Sequence, residues 1–202
     1  FIGEYCKYDR QGVTEALCRA VFLGDKSDVE HDKMVLSTKE RVLIYAGNLA
    51  ANGITRSLTS LLQRVDTDEK DYYLTFTSKS VHETKDYLKS LPAGVKYIPC
   101  LDKTYLTVSE KAAQLLFKHR KLSAEAFDAA FSEVFEIDRR RLYGDLDFHT
   151  VIQFNGYDNK EILMYEKFPS KRIIFAHSDT KQEAELKGNS RLDVLKIAYT
   201  GY

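Results

Sequence analysis

Five short apolar stretches recur along this chain, and between them the spacing of apolar residues changes from continuous to helical. The first, RVLIYAG over 41–47, is unbroken in its hydrophobicity, the pattern of a strand covered on both faces. A helix follows from Ile54 to Val65, with Ile54, Leu58, Leu61, Leu62 and Val65 on one face. The alternation continues through a strand at 71–78, a helix at 81–91 with Ser80 at its cap, and a strand at 95–100. Two helices come next, one capped by Ser109 and one running from Ser123 to Leu142. A fourth strand at 148–156, a helix at 159–168, a fifth strand at 171–179 and a helix at 191–199 complete the series. Strands separated by helices at this interval form βαβ units. The fold expected is therefore α/β, with a doubly wound, mainly parallel sheet and helices on both faces.

Ahead of this series the pattern differs. Val13, Leu17, Ala20 and Val21 recur at helical spacing and Gly24 follows as a stop, so residues 1–24 read as a separate helical segment. Residues 25–39 have no period and are rich in charge, which reads as a linker. The α/β unit then occupies 40–202. The chain begins at Phe1 and ends in AYTGY, where a helix hands over, and it reads as a piece of something longer.

Composition narrows the classes of function. Lys plus Arg is 30 and Asp plus Glu is 30, so no net positive charge favours nucleic acid as a partner. Cys6, Cys18 and Cys100 form no CxxC pair, which argues against both a disulfide framework and a structural zinc site. No apolar run of roughly 18 residues spans a bilayer. Arg139, Arg140 and Arg141 follow Glu133, Glu136 and Asp138, so the expected reading is a solvated, locally neutralised helix face. The sharper alternative is a patch facing an anionic membrane.

In a doubly wound sheet, ligands bind outside the carboxyl ends of the strands, near the point where strand order reverses. Three segments qualify. The loop Gly47–Thr55 matches neither GxGxxG nor a P-loop, leaving a helix N-terminus helped by Asn52 and Thr55 that could receive an anion or hydroxyls. The alternative is a turn needing one glycine at positive φ. Asn155 and Gly156 read as a turn signal, with Asp158 or Asn159 capping the next helix. His177 and Asp179 lie at the end of the fifth strand, where an imidazole can donate to a hydroxyl or phosphate. His31, His82, His119 and His149 occupy less suitable places, and the thirteen tyrosines and eleven phenylalanines read as core rather than platform. There is no HxH, HExxH or GxSxG motif, and no metal site is expected. A flavodoxin-like or response-regulator-like site is disfavoured, because the first strand ends without an acidic cluster.

The stretches RVLIYAGNLAANGITRSLTSLL, VKYIPCL and TVIQFNGYDNKEILMYEKFPSKRIIFAHSD together resemble the N-terminal, Rossmann-like domain of GT-B retaining glycosyltransferases of teichoic-acid and capsule assembly. The resemblance spans about residues 40–202. It implies that Gly47, Asn48, Asn52, Gly53 and Thr55, with Asn155 and Gly156, line the acceptor and phosphate side of a cleft. It also implies that His177 bonds the transferring group while Asp179 orients the loop. The sequence departs from the paired-glycine form of that loop, since Ala51 and Asn52 precede Gly53. The leading segment resembles the closing helix of CDP-glycerol glycerophosphotransferases through Asp9, Gly12, Thr14 and Glu15, with Val13 and Ala16 departing.

Together these resemblances imply a wall-polymer transferase at the inner face of a bacterial membrane, peripheral and cytoplasmic. It would use a nucleotide-activated donor as substrate, a polymer or lipid-linked acceptor, and no cofactor. A second Rossmann domain of the same chain would complete the site, and residues 1–202 alone would be inactive. The rival expectation is a non-catalytic module for recognition or docking within such an enzyme.

Overall fold

The computed structural model describes residues 38–77, 85–100, 106–118, 122–144, 146–156 and 159–177. Expectations for 1–24, most of the linker, Cys6, Cys18, Ser80, Asp158, Asp179, His31, His82, His119 and the helix at 191–199 fall outside them.

Five strands, β1 Glu40–Tyr45, β2 Lys70–Thr77, β3 Lys96–Cys100, β4 Thr150–Gln153 and β5 Lys171–Ile174, form one all-parallel sheet in the order β3-β2-β1-β4-β5. The helices are α1 Gly53–Leu62, α2 Lys85–Lys89, α3 Val108–Lys118, α4 Ala124–Tyr143 and α5 Asn159–Glu166. This is the α/β, Rossmann-like architecture expected from the alternating pattern.

The order follows from connection handedness. From β1 the chain adds β2 and β3 in one direction; after β3 it returns to the other side of β1, and right-handed crossovers then put the later helices on the opposite face. Leu58 and Leu62 of α1 and Leu88 of α2 accordingly pack with Val42, Ile44, Leu74, Phe76 and Phe154. Phe127, Phe131 and Phe135 of α4 and Leu163 and Tyr165 of α5 pack with Leu43, Tyr45, Tyr73 and Val151. Neighbouring residues of β1 divide between these two clusters, as side-chain alternation along a strand requires. β1 lies between β2 and β4, which is why its whole apolar run is buried. β5 pairs with β4 alone among the described residues, and its Ile173 and Ile174 remain half-buried despite their equally apolar sequence.

Local chemistry sets the helix ends. The Asn52 carboxamide accepts from Thr55 N at 3.0 Å to cap α1, and Ser123 caps α4 by accepting from Ala126 N at 3.2 Å. At α3 the cap is Thr107 rather than Ser109. Thr107 Oγ1 accepts from Glu110 N while Glu110 accepts from Thr107 N at 2.6 Å, a reciprocal pair that Ser109, one residue inside the helix, cannot make. Gly144, at φ 61°, stops α4.

Two strands end earlier than their sequence pattern suggests. β4 stops at Gln153, because Phe154 N and Asn155 N both turn to the single carbonyl of Tyr45. β5 stops at Ile174, which leaves His177 three residues beyond the strand.

Candidate functional site

The reversal of strand order falls between β1 and β4, so the loops leaving these two neighbours depart toward opposite faces. Three loop tips meet at this carboxyl edge: Gly47–Asn52 after β1, Asn155–Gly156 after β4, and Phe175–His177 after β5.

The first tip is held by its backbone. Ala46 N donates to Thr75 O, and Thr77 N donates to Gly47 O, each at 2.9 Å, so β2 grips the chain on both sides of the turn. Gly47 (φ 73°) and Leu49 (φ 50°) both occupy the left-handed region. Leu49 tolerates this because its side chain is buried in the α1-side core, which offsets a local conformational cost of about 1–2 kcal/mol. Nothing in the sequence flagged Leu49. Asn48 between them is exposed, and its side chain accepts from Ala50 N at 3.1 Å.

Gly47 and Gly53 serve different ends. A Cβ placed on Gly47 would stand 2.7 Å from Asn155 Cγ, so the bare glycine is what lets the β4 tip lie against the β1 tip. Gly53, at the first turn of α1, is exposed, and a Cβ there meets no neighbouring atom within 4 Å among the described residues. Packing among the described residues does not require glycine at 53.

Asn52 and Thr55 are engaged with the chain: the Asn52 carboxamide oxygen caps Thr55 N, and the buried Thr55 hydroxyl donates to Ala50 O. The outermost turn of α1 thus keeps its polarity, while the capping side chains bend the loop around it.

The β4 and β5 tips are interlocked. Gly156 (φ 69°) is buried, and an added Cβ would collide with the Phe175 carbonyl oxygen. Phe175 N donates to Gln153 O at 3.0 Å, extending the ladder one residue past β5. His177 Nε2 donates to the Phe154 carbonyl, which can only accept, and this fixes the proton on Nε2. Nδ1 is the ring's remaining polar atom. The His177 ring packs on Phe154 at 5.0 Å and lies near-parallel to Phe175 at 6.3 Å.

Beneath this edge, on the α4 and α5 face, lies a polar chain that the sequence did not announce. The Thr75 hydroxyl lies 2.8 Å from Cys100 Sγ and 3.4 Å from the Tyr143 hydroxyl, and the Tyr143 and Tyr165 hydroxyls are 2.7 Å apart. Burial pushes both phenols well above their ordinary range, so they remain neutral donors and acceptors. Gln153, fully buried, accepts from Gly156 N through its side-chain oxygen, while its amide nitrogen has no partner among the described residues.

The structure therefore brings Gly47, Asn155, Gly156 and His177 into one row through β4, with Asn48, Asn52 and Gly53 at its open side. No group of three His, Cys, Asp or Glu suited to a metal comes together among the described residues. No described helix is long and apolar enough to cross a membrane. The arginine cluster is neutralised locally: Glu136 accepts from Arg139 and Arg140 at 2.8 Å, and Asp138 pairs with Arg141 at 2.9 Å. No protein-family model matches this chain, and no curated protein matches its sequence.

Proposed function

We propose that this chain is the acceptor-side half of a transferase that moves a glycosyl or glycerol-phosphate group from a nucleotide-activated donor to a polymer or lipid-linked acceptor of the teichoic-acid type. The observation that carries this reading is Gly53: an exposed glycine at a capped helix N-terminus, beside the strand-order reversal, for which packing among the described residues has no need. A bare backbone at the positive end of a helix lets an anionic oxygen approach the N–H groups directly. The resemblance of 40–202 to glycosyltransferase N-terminal domains supplies the substrate class. The nucleotide-donor site and its carboxylates would belong to a second domain, so turnover requires both halves.

The test is Gly53→Ala. Folding should be kept or slightly improved, within about 1 kcal/mol, because a helical alanine relieves backbone entropy. Affinity for a glycerol phosphate oligomer or CDP-glycerol, read by isothermal titration, should fall about tenfold or more, the equivalent of about 1.4 kcal/mol. Unchanged affinity would remove the basis of the reading. So would hydrolysis of CDP-glycerol by residues 1–202 alone, which would put the whole site on this half.

One observation favours the second reading, a non-catalytic recognition module. His177 spends Nε2 on a backbone carbonyl, a positioning bond rather than an idle base. His177→Ala in the intact enzyme separates the two. Removing a side chain that bonds the transferring group would cost about 10- to 1000-fold in rate, whereas a recognition module leaves the rate unchanged.

A further inference from the structure

Phe175 is 37% exposed, although its two closest ring neighbours hold it firmly. The Phe154 ring, 2% exposed, supports it at 4.6 Å, and the His177 ring stands beside it at 6.3 Å and 22°. Both rings pack against Phe154, so they stand next to each other over it. Phe154 lies on the side of α1 and the β1 tip, since it packs in the cluster of Leu49, Leu58 and Leu62. Two fixed points hold the arrangement in place: the His177 Nε2 bond to the Phe154 carbonyl and the Phe175 N bond to Gln153 O. The result is a partly uncovered aromatic face, tied down by two hydrogen bonds at the edge where the loops converge and bordered by an imidazole whose Nδ1 has no partner among the described residues.

We propose that Phe175 is the stacking platform for a sugar ring of the substrate, with His177 Nδ1 accepting from a hydroxyl at that ring's rim. The inference rests on the acceptor-side reading above and adds the chemistry that selects the substrate. A pyranose offers one face of C–H bonds, slightly positive, to the negative face of the phenyl ring, and hydroxyl donors around its edge. Pre-set rings lose little freedom on binding, so the platform discriminates by shape at small entropic cost. A nucleobase shares the flat apolar face, and the test separates it from a sugar.

Residues 1–202 should be examined by saturation-transfer NMR with methyl α-glucoside and, separately, uridine. The C–H protons of the glucoside should receive saturation, and assigned Phe175 and Phe154 ring resonances of the unmutated chain should shift with it. Phe175→Tyr should retain the effect, and Phe175→Ala should weaken binding about 5- to 100-fold, the range for loss of one stacked ring. His177→Gln, which can still bond the Phe154 carbonyl but lacks the imidazole acceptor, should keep the stacking signal and lower affinity. Equal saturation in Phe175→Ala, or no movement of the Phe175 resonances in the unmutated chain, overturns the proposal. Saturation of uridine without the glucoside also overturns it, because the platform would then take a base. A chain that binds glycerol phosphate in a Gly53-dependent way but ignores the glucoside loses the platform alone and keeps the proposed function.

Discussion

The two faces of the sheet are built from the same strands yet held by different physics. On the α1 and α2 face the core is mainly aliphatic: Val42, Ile44, Leu58, Leu62, Leu74, Leu88 and Val95, with Phe76, Tyr97 and Phe154 among them. On the other face aromatic rings dominate: Phe127 stacks on Phe131 along α4, and the rings against the strands meet edge-on. Tyr45 packs on Tyr165 at 84°, Tyr73 on Phe148 at 77°, and Tyr143 on Phe148 at 87°. The chain of hydroxyls from Thr75 to Tyr165 runs through this second face. Aliphatic packing rewards area and tolerates repacking, whereas ring edges and buried hydroxyls accept only a narrow set of positions. The aliphatic face therefore supplies bulk stability, and the aromatic face fixes how α4 and α5 sit on the strands.

The contrast can be broken most forcefully on the aliphatic side. Leu74→Ala, at a fully buried position, should cost about 2–5 kcal/mol, read from denaturant midpoints. The volume-conserving Leu74→Met should cost less than about 1.5 kcal/mol. If Met were as damaging as Ala, this face would be no more tolerant than its opposite.

Tyr143→Phe probes the aromatic face. It keeps the ring and removes one hydroxyl, leaving the Tyr165 hydroxyl without that partner in the interior. The expected cost is about 1–3 kcal/mol. Replacing both tyrosines by phenylalanine should cost less than the sum of the single changes, since no donor is then stranded. A neutral single mutant would erase the distinction between the faces.

The smallest effect is expected on the solvent side of α4. Its two arginine partners hold the Glu136 carboxyl down to about 2. A carboxylate held below its unfolded value stabilises the fold above about pH 4.3, and that contribution drains as pH falls toward 2. Its side chain is 39% exposed, so the contribution is below about 1 kcal/mol after screening. Glu136→Gln should lower the melting temperature slightly at pH 7, and the gap from the parent should close near pH 2. A gap that stayed constant across this range would show that hydrogen bonding rather than charge holds the cluster.

Much of the fold was legible because period reports burial. The unbroken run at 41–47 announced a central strand, and the 3.6-residue spacing of Ile54, Leu58, Leu61 and Leu62 announced a helix lying on it. The charge run at 136–141 was legible too, since its partners stand three and four residues apart. The half-buried state of β5 was not legible, because Ile173 and Ile174 look the same whether a strand lies inside a sheet or on its edge. Nor was the Thr75–Cys100–Tyr143–Tyr165 chain, whose members are brought together by strand order rather than by any local pattern. At the candidate site, glycine marked the loops, but the sequence could not say that Gly47 makes room for Asn155 while Gly53 makes room for nothing among the described residues. His177 was read as part of a strand over 171–179 but lies three residues past the end of β5, and its bond to the Phe154 carbonyl depends on how far β4 runs before turning.

The contact of Asn155 with Gly47, and of the Phe175 carbonyl with Gly156, has a mechanical consequence. Each loop tip is wedged against the next, like stones in an arch, so none can swing outward without unseating its neighbour. Any displacement imposed at the first tip must be handed across the second to reach the third, and a perturbation at either end would register as a single concerted shift along the row.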